Sequence, residues 1–385
     1  MTNTAYEIHV IHCDRDDWMT QLCEAVALEL LDVGLHRTVA VLVSETPPAP
    51  DSPSVVVCLG SPAAASSDEV RASADAAAAA GLVVVPVVAD FARFQAEVPP
   101  SLGLVNGFEW AGPEPATRLA RVLLAELGIE DRQRRVFISH KRDDGLGAAE
   151  QMFDELSHMG FLPFIDRFAI REGRDVQAAI ADALEDHAFL LLLETPAAHA
   201  SDWVFDEVDY ALSHTMGILI VQWPGDPPPV PGSNYLPRLP LGPGELIIDP
   251  HEFEVLTAPA LDRVVARVEA AHAQGLVRRR RMLIRSIEEA AAASGATACV
   301  PLREWRLLVE HGGQSTLLGI TPRLPTAEDL QLLDAARSSA GTGPSAVLVH
   351  SARALRDARA THLAWVAGDR DLELTPENAI GARWT

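Results

Sequence analysis

Trp203, Glu207 and Tyr210 fall at i, i+4 and i+7 within the stretch SDWVFDEVDYAL. On a helix opened by Ser201, a good N-cap, that spacing lines an indole, a carboxylate and a phenol along one stripe. Val204, Val208, Ala211 and Leu212 make the adjacent apolar stripe, the one expected to face a core. A carboxylate beside an aromatic face suits a reaction that builds positive charge on its substrate. The carboxylate stabilises the developing cation, and the ring stacks on a cationic heterocycle. Such chemistry needs no metal. Taken alone, Trp-x-x-x-Glu is ordinarily a core-edge aromatic followed by a solvated acid, so the elements around it decide its meaning.

Those elements alternate in a regular order. Val136–Ser139 reads as a strand leading into FISHKRDD, and Leu146–Met159 as a helix. Leu162–Ile165 is a second strand leading into FIDRFAIREGRD, a long polar loop over Arg167–Asp175, followed by a helix at Val176–Leu184. Phe189–Leu193 is a buried strand, Asp202–His214 a helix and Ile218–Gln222 a strand. A Pro-rich loop, Pro224–Pro240, leads to strand Leu246–Ile248 and a closing helix at Pro259–Ala273. Strands that are continuous apolar runs, alternating with helices, predict a parallel sheet covered on both faces.

Together, FISHKRDD, the Glu-Gly-bearing loop and Trp203–Glu207 after the third strand resemble a TIR domain, from the bacterial branch related to Toll and interleukin-1 receptor signalling domains. The resemblance covers about residues 134–275. It implies a flavodoxin-like α/β fold and, in the enzymatic members, cleavage of the nicotinamide N-glycosidic bond of NAD. It assigns the catalytic carboxylate to Glu207, which would steady positive charge on the ribosyl ring and orient its hydroxyls. Trp203 would stack on the nicotinamide. Phe137, Ser139, Arg142 and Asp166, at or after strand ends where ligands of open α/β sheets bind, become candidate substrate contacts. Arg174, with Arg167 and Arg171, is a candidate for the diphosphate. Phe168 is a candidate contact to a neighbouring subunit. NAD enters as substrate, with no cofactor, and the implied partners are other copies of the TIR domain and a trigger ligand or protein. Defence against phage is the implied role. The products are nicotinamide with ADP-ribose or a cyclised form. The alternative is a non-catalytic TIR scaffold that assembles signalling partners, and members of that kind commonly lack this Glu.

A dinucleotide-binding fingerprint is the rival. Gly145-Leu-Gly147 precedes a helical pattern, and Asp166 follows at a strand end. Glu150 stands where the third glycine belongs, and polar residues separate the strand from Gly145, so the tight phosphate turn is lost.

The first 130 residues repeat the same order: strands Ile8–Ile11, Val39–Val43, Val55–Leu59 and Leu82–Val88, with helices Trp18–Leu31, Ala63–Ala80 and Pro115–Leu127. VIHCDRDD (Val10–Asp17) matches FISHKRDD at one offset, and SPAAASSD (Ser61–Asp68) matches TPAAHASD (Thr195–Asp202). We read this as a duplication. Glu69 falls where Trp203 is and Ser73 where Glu207 is, so the first copy reads as a degenerate TIR-like unit with a structural or sensing role. The expected architecture is α/β throughout: tandem flavodoxin-like parallel-sheet units at 1–130 and 134–275, then a smaller α/β domain at 276–385. That last domain opens with Arg278–Arg281 and a helix to Ala293. Strands are expected at Arg306–Val309, Thr316–Ile320, Ala346–His350 and Leu363–Val366, with helices at 326–338 and 351–360.

Composition narrows the chemistry further. Thirty-one basic against fifty-four acidic side chains give a net charge of −23, a poor partner for nucleic acid or anionic membrane. Lys141 is the one lysine. No Gly-Lys-Ser/Thr triplet exists, so a Walker A loop is excluded, as is a lysine-dependent nuclease site in the C-terminal half. Cys13, Cys23, Cys58 and Cys299 form no C-x-x-C pair and fit a reducing cytosol. His9, His12, His140, His158, His187, His199 and His214 show no ligand spacing, and no metal site is expected. The N-terminus lacks a signal-peptide pattern, and the apolar run Ala76–Ala89 is too short to cross a bilayer. The Arg278–Arg281 run is expected to be solvated or paired with acids.

Overall fold

Alternation within β-branched runs builds the first sheet. Val55, Val57 and Leu59 pack to one face with Tyr6, Ile8, Leu22 and Leu123, while Val56 and Cys58 pack to the other with Val70, Ala74 and Val84. Both faces are covered, which is why these strands carry no polar alternation. The computed structural model describes residues 5–384 except 33–34, 37–38, 50–51, 130–133, 166–183, 185, 303–304, 340–344, 353–354 and 356.

The first sheet holds β1 (Ala5–Ile11), β2 (Ala40–Ser44), β3 (Ser54–Leu59), β4 (Val83–Val88) and β5 (Phe108–Glu109) in the order β2-β1-β3-β4-β5. All of its pairings are parallel. The Ala-rich helix expected at 63–80 is two helices, Pro62–Ser66 and Asp68–Ala79. Ser67 separates them because its hydroxyl accepts from Val70 N–H at 3.2 Å and starts a new helix.

The second sheet holds β6 (Arg135–Ser139), β7 (Leu162–Phe164), β8 (Phe189–Glu194), β9 (Gly217–Gln222) and β10 (Arg238–Pro240), in the order β10-β9-β8-β6-β7. Counted along the chain, both sheets share the order 2-1-3-4-5, the flavodoxin-like arrangement. Strands β6, β8, β9 and β10 run parallel. A short antiparallel pair, β11 (Leu246–Ile248) and β12 (Glu254–Leu256), follows.

The third sheet is mixed, ordered β13 (Ala298–Leu302), β14 (Arg306–His311), β15 (Gln314–Thr321), β16 (Ser345–His350) and β17 (Leu372–Pro376). Strands β13, β14 and β15 form an antiparallel meander, and β15, β16 and β17 are parallel. Leu363–Val366, expected as a strand, lies inside the helix Asp357–Ala367. Leu363 and Ala367, one turn apart, face the core while Trp365 points outward, so the period there is helical.

Two expected helices at 259–273 and 278–293 are one, Ala258–Ala293, of 36 residues. Between the two expected spans Gly275 sits mid-helix, where a Cβ would stand 3.0 Å from Gly217 Cα. Glycine is there for close approach and not to end the helix. Within this helix Arg279 is buried and pairs with Glu377, Nη1 to Oε2 at 3.1 Å, and Arg280 stacks over Trp305 at 5.2 Å. Arg278 and Arg281 are exposed. By internal packing the chain forms two compact units. Met1–Arg134, Asp154–Leu162 and Asp262–Gln274 make one, and Arg135–Phe153, Pro163–Leu261 and Gly275–Thr385 the other.

Candidate functional site

The strand order of the second sheet reverses between β6 and β8, so the carboxyl ends of these strands mark its ligand-binding crevice. Ser139 ends β6, in register with Leu192 of β8. Its side chain is 1% exposed, and its Oγ has no hydrogen-bond partner among the described residues. A buried hydroxyl in that state stands ready to meet a water or a ligand atom. Arg142 opens the helix Arg142–His158 and is exposed.

Phe137 differs from expectation. Its ring is wholly buried in the core cluster with Leu190, Leu192, Val204 and Val208, and it stacks on Phe164 at 5.2 Å. It supports the strand from within. Asp166, Arg167, Phe168, Arg171 and Arg174, and with them nearly all of the helix expected at Val176–Leu184, lie outside the described residues.

Glu194 ends β8, and Ser201 caps the following helix Asp202–Ser213 through Val204 N–H at 3.5 Å. Val204, Val208 and Ala211 face the core as the periodicity requires, but Leu212 is exposed. Glu207 is only 5% exposed, and Trp203 on the same stripe is 44% exposed. The helix thus carries a carboxylate held out of water beside an indole that faces it. Carboxylates are almost never buried to this degree without a purpose such as pairing or catalysis. Tyr210, the third member of the stripe, meets His214 edge to face at 4.3 Å.

Two acids escaped sequence reasoning. Glu194, fully buried, accepts from Arg238 Nε at 2.9 Å and Nη2 at 3.0 Å and from Val230 N–H at 3.3 Å. It anchors the Pro-rich loop over the sheet. An acid closing the apolar run FLLLLE was its visible signal. Asp144, quoted within FISHKRDD without a role, accepts from Thr195 Oγ1 at 2.7 Å and Ala197 N–H at 2.8 Å. Gly145 and Gly147 lie inside the helix Arg142–His158 and in no phosphate turn. A Cβ at 147 would stand 2.6 Å from Phe253 Cβ, so this glycine answers a packing need.

A sheet of order 2-1-3-4-5, with a buried carboxylate on the helix that follows β8, defines the class of site. Residues 136–238 match the family model of the TIR domain, and this stretch of the chain is a TIR domain. Similar solved structures include the TIR domains of the activated Roq1 resistosome directly recognizing the pathogen effector XopQ. That likeness is 18% identical, covers 24% of this chain and 58% of that one, and has a TM-score of 0.23. The TIR domain of the Toll-related receptor TRR-2 from Hydra magnipapillata is 20% identical over 27% of this chain and 82% of that one, with a TM-score of 0.24. No curated protein matches the chain. Among the described residues, no helix is long and apolar enough to cross a membrane.

Proposed function

We propose that this TIR domain cleaves the nicotinamide N-glycosidic bond of NAD, with Glu207 as the catalytic carboxylate. The observation that carries the reading is the burial of Glu207 on the helix that leaves the switch point. A carboxylate removed from water acts on a developing ribosyl cation far more strongly than a solvated one. As the bond to nicotinamide breaks, its electron pair leaves with the neutral base and the ribosyl C1′ becomes cationic. Glu207 stabilises that charge. Water then adds to give ADP-ribose and a proton, or an adenine nitrogen adds to give a cyclic product. Ser139 is the candidate donor to the substrate, and Trp203 the candidate stacking face for nicotinamide. Depletion of NAD, or a signal derived from ADP-ribose, would serve defence against phage.

A second reading, a non-catalytic assembly module, is favoured by the exposure of Trp203, Phe205 and Leu212 on the same helix, since exposed apolar side chains gathered on one element mark contact surfaces. Chromatography of NAD incubated with concentrated wild-type protein and with Glu207→Gln separates the two. The catalytic reading expects nicotinamide from the wild type and a loss of about 10²-fold or more in the variant, with an unchanged thermal transition. Equal turnover by both proteins overturns the assignment of Glu207. No turnover by the wild type, under assembling conditions, leaves the scaffold.

A further inference from the structure

We infer that Asp144 is a positioning residue for this reaction, clamping the segment after β6 to the loop that launches the Glu207 helix. The inference rests on the NAD-cleaving reading. Ser139 and Arg142 sit on the β6 side, and Trp203 and Glu207 on the β8 side. The candidate site therefore spans two separate connections, and its geometry depends on their mutual placement. Asp144, in the first turn of the helix Arg142–His158, bridges them. Oδ1 accepts the Thr195 hydroxyl at 2.7 Å, and Oδ2 accepts the Ala197 amide at 2.8 Å. Both lobes of one carboxylate are engaged, each by a donor of the Thr195–Ser201 loop, and Ser201 at the end of that loop caps the Glu207 helix. Two charge-assisted bonds from one rigid helical turn fix both the position and the twist of the loop.

The first sheet supplies an internal control. The motif VIHCDRDD keeps the aspartate as Asp17, and SPAAASSD offers Ser61 and Ala63 where the later unit has Thr195 and Ala197. No clamp forms there: Asp17 is exposed, and the Ser61 hydroxyl accepts instead from its own Ala64 N–H at 3.1 Å. The connection is made by Arg15, whose Nε donates to Gly60 O at 3.1 Å. A sheet of the same strand order thus forms without the carboxylate clamp, in the unit that has Ser73 in place of the catalytic glutamate. The clamp accompanies the site and not the fold.

The test compares steady-state NAD turnover by wild type, Asp144→Ala, Asp144→Asn, Thr195→Val, the Asp144→Asn/Thr195→Val pair and Asp17→Ala. Hydrogen–deuterium exchange over residues 195–207 is followed in each. Asp144→Ala is expected to lower kcat and kcat/KM together by about tenfold to a hundredfold, the scale of a misplaced catalytic group. Asp144→Asn should recover part of that loss, because its amide oxygen still accepts one bond. The double variant should lose less than its two single losses combined. Asp17→Ala should match wild type, and exchange at Ala197–Ser201 should quicken only in the Asp144 and Thr195 variants. Wild-type kcat in Asp144→Ala, unchanged exchange in that loop, or an equal loss in Asp17→Ala each overturns the inference. Should Asp144→Ala fail to fold, Thr195→Val carries the same comparison by removing one hydroxyl. If wild type does not cleave NAD at all, the catalytic reading fails by itself, and the exchange rates still decide whether Asp144 holds the loop.

Discussion

Arg134 and Glu269 face each other through two parallel hydrogen bonds, Nη1 to Oε1 at 2.6 Å and Nη2 to Oε2 at 2.7 Å, with both side chains essentially out of solvent. Nη2 also donates to Met159 O at 3.0 Å, and the guanidinium lies 3.9 Å over the Phe161 ring. The Tyr6 hydroxyl donates to the same carboxylate. Glu269 thus joins β1, the chain just before β6, and the long helix. Removing one partner of a buried pair leaves the other charge uncompensated, at a cost of about 3–5 kcal/mol. Arg134→Met is expected to lose stability on that scale. Arg134→Met with Glu269→Leu should regain most of it, because no lone charge remains buried. Urea unfolding of the three proteins checks this, and equal stability of the single and double variants would refute it.

The same cluster sets an alkaline limit. Burial first, then the Glu269 charge, holds the Tyr6 phenol well above its ordinary pKa of 10.0. The folded state keeps a proton that the unfolded state gives up, so this contribution is whole below pH 10 and falls as pH rises from there. Burial also pushes the Cys58 thiol up to about 12, which adds a loss of the same sign starting nearer pH 9. Tyr6→Phe should therefore be less sensitive than wild type to a rise from pH 9.5 to 11.5, and Tyr6→Phe/Cys58→Ala less sensitive still. Urea midpoints measured across that range test the order.

Much of this architecture was legible because apolar periodicity records which faces are covered. The runs Val55–Leu59 and Phe189–Leu193 are buried on both sides of their sheets, and their lack of alternation said so. What was illegible was settled by contacts remote in sequence. Two helices were expected where one 36-residue helix runs, and Gly275 within it is explained only by its approach to Gly217. The run Leu363–Val366 has strand-like composition, and its helical burial depends on sheet residues such as Leu348. In the site, the helical spacing put Trp203 and Glu207 on one stripe, and the fold adds that only Glu207 is buried. Phe137 and Ser139 lie two apart on one strand and so share a face; the packing of Phe137 against Phe164 and Leu190 depends on contacts remote in sequence. Asp144 could not be singled out, because its value lies in Thr195, fifty residues on.

Trp203 and Phe205 are almost equally exposed, 44% and 41%, which makes them a matched pair. Only Trp203 shares the helical stripe of Glu207. If the indole meets nicotinamide, Trp203→Ala should raise KM for NAD or lower kcat/KM about tenfold, within the range of a cation–π contact in a desolvated site. Phe205→Ala should change either by less than twofold. Equal losses in two folded proteins would mean that the stripe does not define the pocket and that both aromatics serve a contact surface.

The final prediction concerns assembly. Phe205 and Leu212 expose apolar surface on the helix that carries Glu207, and the segment Arg167–Asp175 is polar and arginine-rich. On the NAD-cleaving reading, we expect activity to depend on association between copies of this chain. Concentration is the simplest trigger to test. An isolated domain would offer an incomplete pocket and spare cellular NAD at rest. Turnover per molecule should therefore rise as protein concentration rises, in step with the growth of larger species seen by light scattering. Arg174→Glu should suppress both, because the reversed charge opposes a neighbour in a chain that already carries −23. A dilution series measured by NAD consumption and scattering together decides the matter. Constant turnover per molecule from a strictly monomeric species would show that one chain completes the site by itself.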